Sequence, residues 1–330
     1  MREAFTFDDV LLIPAYNHYE SRQHVELSVT DRSGKLSLEL PVMTANMDTV
    51  TESAMANFIG GKGGIGVLHR MMSIDRNVAE FRKCKGPVFV SVGCAEEELT
   101  RAEALRDAGA THFVVDVAHG HARYVGKTLK NLRQLLPDAC LMAGNVATYA
   151  GADYLASVGA DIVKVGIGPG SVCTTRLKTG HGVPQLTAIQ DCARCDRSIV
   201  ADGGIRHPGD VVKALAFGAD FVMLGGMLAG HAECAGEIVE KDGEKYSCFY
   251  GMSSRTAMEK YAGGVAEYRA AEGKNVMVPY RGPVAGTVRE ILGGVRSACT
   301  YVGARQLKEL TKRTTFVRVG GRGNDAYDET

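Results

Sequence analysis

Cys173 stands in an unusual setting, the run Gly166-Ile-Gly-Pro-Gly-Ser-Val-Cys-Thr-Thr-Arg176. Closely spaced glycines let a chain curl into a nest of carbonyls and N–H groups that can hold an ion or a phosphate. A cysteine fixed inside such a loop can act as a thiolate nucleophile. An arbitrary cysteine is more often a small buried hydrophobe, but this loop favours the reactive reading. Two further glycine pairs, Asp202-Gly203-Gly204 and Gly225-Gly226, could admit a phosphate close to the backbone. Plain turn glycines are the lesser reading of either pair alone, and the two together are the stronger signal.

Other patterns carry less. Gly61-Lys-Gly63-Gly-Ile-Gly66 fits a dinucleotide fingerprint but precedes an apolar run instead of following one, so turn glycines are the better reading. Cys192-Ala-Arg-Cys195 has zinc or redox spacing without a second pair and reads as coincidence on a helix. His69, His119, His121, His181, His207 and His231 show no metal-ligand spacing.

The elements that must position these residues are eight short apolar runs, each ending in Gly or a polar residue: 41–48, 64–69, 87–93, 112–118, 140–146, 161–168, 198–204 and 220–226. Most are spaced roughly 20–30 residues apart, one strand–helix unit. Their near-continuous apolar character suits parallel strands covered by helices. Ala108-Gly-Ala-Thr, Val158-Gly-Ala-Asp and Phe217-Gly-Ala-Asp share the form of a helix stop leading into a strand. A doubly wound open sheet competes, yet eight similar units with chemistry at the strand ends predict an α/β fold of the (β/α)8 (TIM) barrel type. The Cys173 loop then leaves strand six, and the glycine pairs leave strands seven and eight, where barrels often bind phosphate.

Beyond strand eight, residues 237–250 predict a hairpin turning at Asp242-Gly243. Residues 262–286 carry Gly, Pro and charge without periodicity, as a mobile lid would, and include the carboxylates Glu267 and Glu272. Helical stretches follow at 287–301 and 305–311, and the tail 321–330 reads as frayed.

The chain of 330 residues is predicted to be one catalytic domain, since such a barrel takes about 250 residues. Its 38 basic and 38 acidic residues cancel, which argues against gathering nucleic acid or an anionic membrane. Nine scattered cysteines make a poor disulfide framework, and no apolar run is long enough to span a bilayer. The expectation is a cytoplasmic protein.

The Cys173 loop, with the opening Phe5-Thr-Phe-Asp-Asp-Val-Leu-Leu-Ile-Pro and Ala45-Asn-Met-Asp-Thr-Val, resembles the IMP dehydrogenase/GMP reductase family. Phe249-Tyr-Gly-Met-Ser-Ser, Gly263-Gly-Val-Ala-Glu-Tyr-Arg-Ala-Ala-Glu-Gly-Lys274, 291–304 and 307–316 resemble its reductase branch. The dehydrogenases carry a regulatory insert of about 120 residues after strand two, where this chain has only Met71–Pro87. They also activate water with an Arg-Tyr pair on a flap, a dipeptide absent from 262–286.

The resemblance implies NADPH-dependent conversion of GMP to IMP and ammonia. Cys173 would form a thioimidate at the purine C2, with Thr175 and Glu272 handling the proton for the departing ammonia. The nucleotide positions implied are Ser171, Asp202, Gly203, Gly204, Gly225, Gly226, Gly251, Met252, Ser253, Arg269 and Gly273. The cofactor positions are Arg70, Asp116, Val117, Ala118, Ile167, Gly168, Tyr268, Ser297, Ala298, Cys299 and Thr300, with Ser21 and Arg22 reaching a neighbouring subunit of a homotetramer. Gly168, Gly170, Cys173 and Arg176 match a site for a monovalent cation, usually potassium. Three positions depart from the family: Arg70 stands where Lys is frequent, His119 replaces an Asn, and His181 replaces an apolar residue. Alternatives are an IMP dehydrogenase lacking its regulatory domain and a non-catalytic barrel that senses purine nucleotides.

Overall fold

The structure is a computed structural model that describes residues 1–319, so the tail expected to fray at 321–330 lies outside the described residues. All eight expected strands form: β1 (Val42–Thr44), β2 (Gly66–Leu68), β3 (Val88–Val92), β4 (His112–Asp116), β5 (Cys140–Val146), β6 (Ile162–Val165), β7 (Ser198–Asp202) and β8 (Phe221–Leu224). Successive strands pair in parallel, β8 returns to β1, and Met43 bridges Ile65 to close the barrel between β1 and β2. The (β/α)8 reading therefore holds, and the open sheet does not.

Side chains alternate between two packed regions because successive strand residues point to opposite faces. Met43, Val67, Phe89, Val114, Met142, Ile162, Val200 and Phe221 fill the barrel, where Leu36 and Leu38 join them. The latter pair comes from a short hairpin (Val29–Thr30 with Ser37–Leu38). The other strand face packs outward against the helices, as Val90, Phe113, Leu141 and Val163 do. Phe89 and Phe221 have no exposed surface, and burying such a side chain is worth about 1.5–3 kcal/mol. The interior is a plug of side chains, which leaves chemistry to the strand ends.

Helices α1 (Ser53–Gly60), α2 (Ile74–Arg82), α3 (Glu97–Asp107), α4 (Arg123–Leu135), α5 (Tyr149–Ser157), α6 (Gln185–Cys192) and α7 (Pro208–Ala216) follow the first seven strands. Gly109, Gly159 and Gly218 end three of these helices with φ of 102°, 113° and 114°, the left-handed stop that lets the next strand begin at once. Cys192 and Cys195 are both buried thiols, one closing α6 and the other just past it.

The eighth helical position is taken late, by α8 (Ala285–Tyr301), which packs on α7. Gly294 permits this contact, for a Cβ there would sit 2.8 Å from Pro208 Cβ. Between β8 and α8 the expected hairpin forms from β9 (Ile238–Lys241) and β10 (Glu244–Tyr250). The stretch 262–286, expected as a lid, holds regular structure that its composition does not show. It contains β11 (Asn275–Pro279), antiparallel to β10, with Val276 and Val278 turned inward. Helix α9 (Arg255–Ala262) precedes it, capped by Ser254, whose hydroxyl accepts from Ala257 N–H. The helical stretch expected at 305–311 is a 3-10 turn (Leu307–Glu309) and one α turn (Leu310–Arg313), leading into Thr315–Arg318, which pairs with Val10–Ile13. No helix among the described residues is long and apolar enough to cross a membrane.

Candidate active site

Two adjoining cavities open at the C-terminal ends of the strands. The larger, about 570 Å³, is lined by Ser171, Asp202, Gly203, Gly204, Gly225 and Gly226. The smaller, about 240 Å³, is lined by Asp116, Val117, Ala118, Asn145, Ile167 and Gly168, with Thr175 and Glu272. Ala45, Met47, Gly170, Val172, Cys173 and Asp202 line both, so the cysteine stands on the partition.

The loop after β6 reaches that position because its glycines allow contacts that other residues would block. A Cβ on Gly166 would lie 2.0 Å from Asp202 O, and one on Gly168 would lie 2.9 Å from Arg176 Cγ. Cys173 N–H donates to Gly170 O at 3.0 Å, fixing the turn, and the Cys173 thiol donates to Thr175 Oγ1 at 3.3 Å. Thr175 opens a short helix (Thr175–Thr179).

Glu272 is delivered by main-chain pairing across the site. Its N–H donates to Ser253 O at 2.8 Å and its carbonyl accepts from Thr174 N–H at 2.8 Å. Gly273 bridges both Cys173 and Ser254, and Lys274 N–H donates to Val172 O at 2.9 Å. The segment 272–274 is thus held as an extended strip between the Cys173 loop and the 251–254 turn.

The floor of the smaller cavity holds a group that the sequence reading passed over. Lys164, on β6 and only 3% exposed, places Nζ 2.8 Å from Asp116 Oδ1 and 2.7 Å from Asp202 Oδ2. Asn145 Nδ2 donates to Asp202 Oδ2 at 2.9 Å and to Gly166 O at 2.7 Å. Burial alone would raise the Asp116 carboxyl, but the charge and hydrogen bond of Lys164, helped by Arg70 and Asn46, hold it below the usual range. Burial likewise works against the Lys164 ammonium, and the two carboxylates outweigh it and push its pKa up. A lysine inside an otherwise apolar strand was the available signal for this residue.

A second unexpected cluster secures the elements beyond β8. Buried Asp48 accepts from the hydroxyls of Tyr250 and Tyr261, each at 2.5 Å, and from Lys260 Nζ at 3.1 Å. It thereby ties β10 and α9 to the loop after β1.

Not every expected position gathers here. Gly251, Met252 and Ser253 line the smaller cavity, whereas Arg269 and Tyr268 are exposed and line neither, with Tyr268 90% exposed. Arg70 lines neither of these two cavities. It packs against Gly93, whose Cβ would sit 3.0 Å from Arg70 Cζ, and its field reaches Asp116. Ser21 and Arg22 sit where the 3-10 turn Arg22–His24 meets α8, and neither they nor 297–300 line either cavity. Cys299 is wholly buried in the core, and Thr300, also buried, donates to Ser297 O. Of that group only Ser297 and Ala298 keep partial exposure. His119 and His181 are exposed, and His231 is buried between Gly282 O (3.0 Å from Nδ1) and Thr287 Oγ1 (2.9 Å from Nε2).

A barrel with a cysteine in a glycine nest beside a carboxylate-lined chamber defines an enzyme-like nucleotide site. The sequence model of the IMP dehydrogenase / GMP reductase domain matches residues 4–326, and the chain belongs to that family. Among relatives, the GMP reductase of Aeromonas hydrophila is 51% identical, over 97% of this chain and 96% of that one. The Escherichia coli GMP reductase is 48% identical, over 98% and 96%. A solved structure described as inosine 5′ monophosphate dehydrogenase from Legionella pneumophila is 63% identical, with TM-score 0.90, covering 98% of this chain and 100% of that one. A Cys-to-Ala variant of the Trypanosoma brucei GMP reductase, in complex with guanosine 5′-monophosphate, superposes with TM-score 0.92 at 28% identity, over 97% and 96%.

Proposed function

We propose that this chain is a GMP reductase, an oxidoreductase that uses NADPH to convert GMP to IMP and ammonia. The observation that carries this reading is Cys173 on the wall between two chambers, with Thr175 and Glu272 on the smaller side. The larger chamber takes the nucleotide, its phosphate against Ser171, Gly204, Gly225 and Gly226, where backbone N–H groups can face an anion. Asp202 lines both chambers and would accept from the ribose hydroxyls.

The Cys173 thiolate attacks C2 of the purine, the 2-amino group leaves as ammonia after gaining a proton, and a thioimidate remains. Thr175 and Glu272 move that proton, since a neutral amine departs far more readily than an amide anion. The chemistry NADPH would supply when bound is a hydride to C2, which lets the carbon–sulfur bond break and IMP leave. The smaller chamber fits a nicotinamide on one structural ground: Asn145 Oδ1 is a buried acceptor without a partner among the described residues, and a carboxamide N–H would satisfy it. Asp116, Val117, Ala118, Ile167 and Gly168 would enclose the ring. Ser21, Arg22, Ser297 and Ala298 are left for the far end of the cofactor across a neighbouring subunit, which a homotetramer would bring.

The glycine nest also fits a monovalent cation such as potassium. Main-chain carbonyls of Gly168, Gly170 and Cys173 are uncharged oxygen donors, and Thr174 Oγ1 beside them is buried without a partner among the described residues. At Arg176 only the main chain could serve, because the guanidinium is itself cationic. The proposed location is the cytoplasm, as nine free thiols suit a reducing compartment.

The relative described as a dehydrogenase keeps that alternative in view, yet residues 262–286 lack the Arg-Tyr pair that would activate water. Cys173→Ala tests the covalent route. It should bind GMP with near-normal affinity and lose turnover by about three or more orders of magnitude. Turnover near the wild-type rate would refute covalent catalysis at this residue.

A further inference from the structure

Among the described residues, Lys164 is the one buried cation that touches the walls of both chambers through its own partners. Its path is set by strand register. Asp116 pairs with Gly144 and Gly144 pairs with Lys164, so the three form a row across β4, β5 and β6. The middle position has no side chain. A Cβ on Gly144 would lie 2.5 Å from Lys164 O and 2.6 Å from Lys164 Cβ. The lysine can therefore cross β5 to reach Asp116, while on its other side it reaches Asp202 at the end of β7. Its neighbours inside the barrel, among them Met142, Ile162 and its register partner Val200, are apolar and offer the ammonium nothing. Its two carboxylates are its anchors, and an ammonium held between them at 2.7–2.8 Å is a poor proton donor.

We propose that Lys164 is a positioning residue for the reaction: its ammonium fixes the cofactor-side carboxylate of Asp116 to the nucleotide-side carboxylate of Asp202. The two chambers then meet at Cys173 in one fixed relation, with hydride donor and purine held face to face. This rests on the assignment of the larger chamber to GMP and the smaller to NADPH. Without the ammonium, Asp116 and Asp202 would face each other with no cation between them, and each would move away from the other. Ligands in both chambers would feel the change, although they occupy different space. A lysine that served one chamber, or only the fold, would not produce that paired effect.

The test compares wild type, Lys164→Gln and Lys164→Arg, with folding checked by near-UV circular dichroism. GMP and oxidised NADP are titrated separately by calorimetry, and turnover is measured with GMP and NADPH. Lys164→Gln should weaken both ligands by about tenfold or more and lower kcat by about a hundredfold, the penalty for a small misplacement of reacting groups. Lys164→Arg, which keeps a cation able to serve two carboxylates, should bind both ligands more tightly than the Gln variant. Should Lys164→Gln fail to fold, the double variant Lys164→Gln/Asp116→Asn removes the opposing carboxylate with the ammonium. It should still bind GMP about tenfold more weakly, because Asp202 has lost its ion-pair partner and keeps only the amide of Asn145. A folded single variant with either affinity intact, or a double variant with wild-type GMP affinity, overturns the proposal. Wild type that binds neither ligand overturns the chamber assignment and this proposal with it, which separates the two failures.

Discussion

Replacing Thr175 by Val separates the chemistry of the site from its stability. Valine keeps the branched shape at the first residue of the 175–179 helix and removes only the hydroxyl. The structure gives that hydroxyl one contact, the Cys173 thiol at 3.3 Å, and the carbonyl of Thr175 still accepts from Thr179 Oγ1 in the variant. A neutral hydrogen bond contributes about 0.5–1.5 kcal/mol net, and a long one to sulfur belongs at the bottom of that range. For a large domain the melting temperature should drop by no more than a few degrees, at roughly 2–4 °C per kcal/mol. The effect on rate should be far larger. A positioned proton-transfer group contributes about a hundred- to ten-thousand-fold. That corresponds to roughly 3–5.5 kcal/mol of barrier. The assay follows NADPH absorbance for kcat, with calorimetry for GMP affinity, and includes Thr175→Ser as the variant that keeps the hydroxyl. The serine enzyme should stay within about tenfold of wild type while GMP affinity holds in both. A valine variant within tenfold of wild-type kcat, or a serine variant as slow as valine, would show that the hydroxyl moves no proton.

Glu272→Gln should slow ammonia release in a rapid-quench single turnover by about a hundredfold or more, while the burst of reduced cofactor from IMP and oxidised NADP, the hydride step run backwards, survives; equal loss of both steps would mean that Glu272 only holds the purine. His231 titrates below its ordinary 6.5 because burial disfavours the imidazolium, outweighing the hydrogen bond to Gly282. The unfolded chain therefore takes up the proton first, and stability should fall as pH drops below about 6.5, with proton uptake on unfolding. His231→Asn should flatten the melting temperature between about pH 7 and 5 without abolishing its slope, since burial lowers His112 in the same direction; an unchanged slope would contradict the buried neutral imidazole.

The barrel was legible because each strand had to be apolar on both faces, and eight such runs at one-unit spacing leave few alternatives. The Cys173 loop and the paired glycines were legible because close backbone approach needs glycine, as the contact of Gly166 with Asp202 O bears out. Lys164 was not, because a single lysine in a strand carries no mark of the carboxylates it meets on β4 and β7. Strand β11 was hidden by its length and by Pro279, with only Val276 and Val278 to show a period of two. The pairing of Val10–Ile13 with Thr315–Arg318 joins opposite ends of the chain, which no local pattern reports. Cys299 matched a motif position, yet the face of α8 on which it falls buries it. Motif spacing fixes the order of residues, and helix phase decides which of them can be touched.

The central claim is that hydride, and not water, discharges an intermediate on Cys173. Its most direct measurement is a mass balance on purified protein with GMP and NADPH, following NADPH loss, ammonia and the purine product together. Equal amounts of oxidised cofactor, ammonia and IMP over many turnovers are the predicted result. Absence of that reaction, with IMP and an oxidised nicotinamide cofactor instead giving XMP over many turnovers, would contradict it.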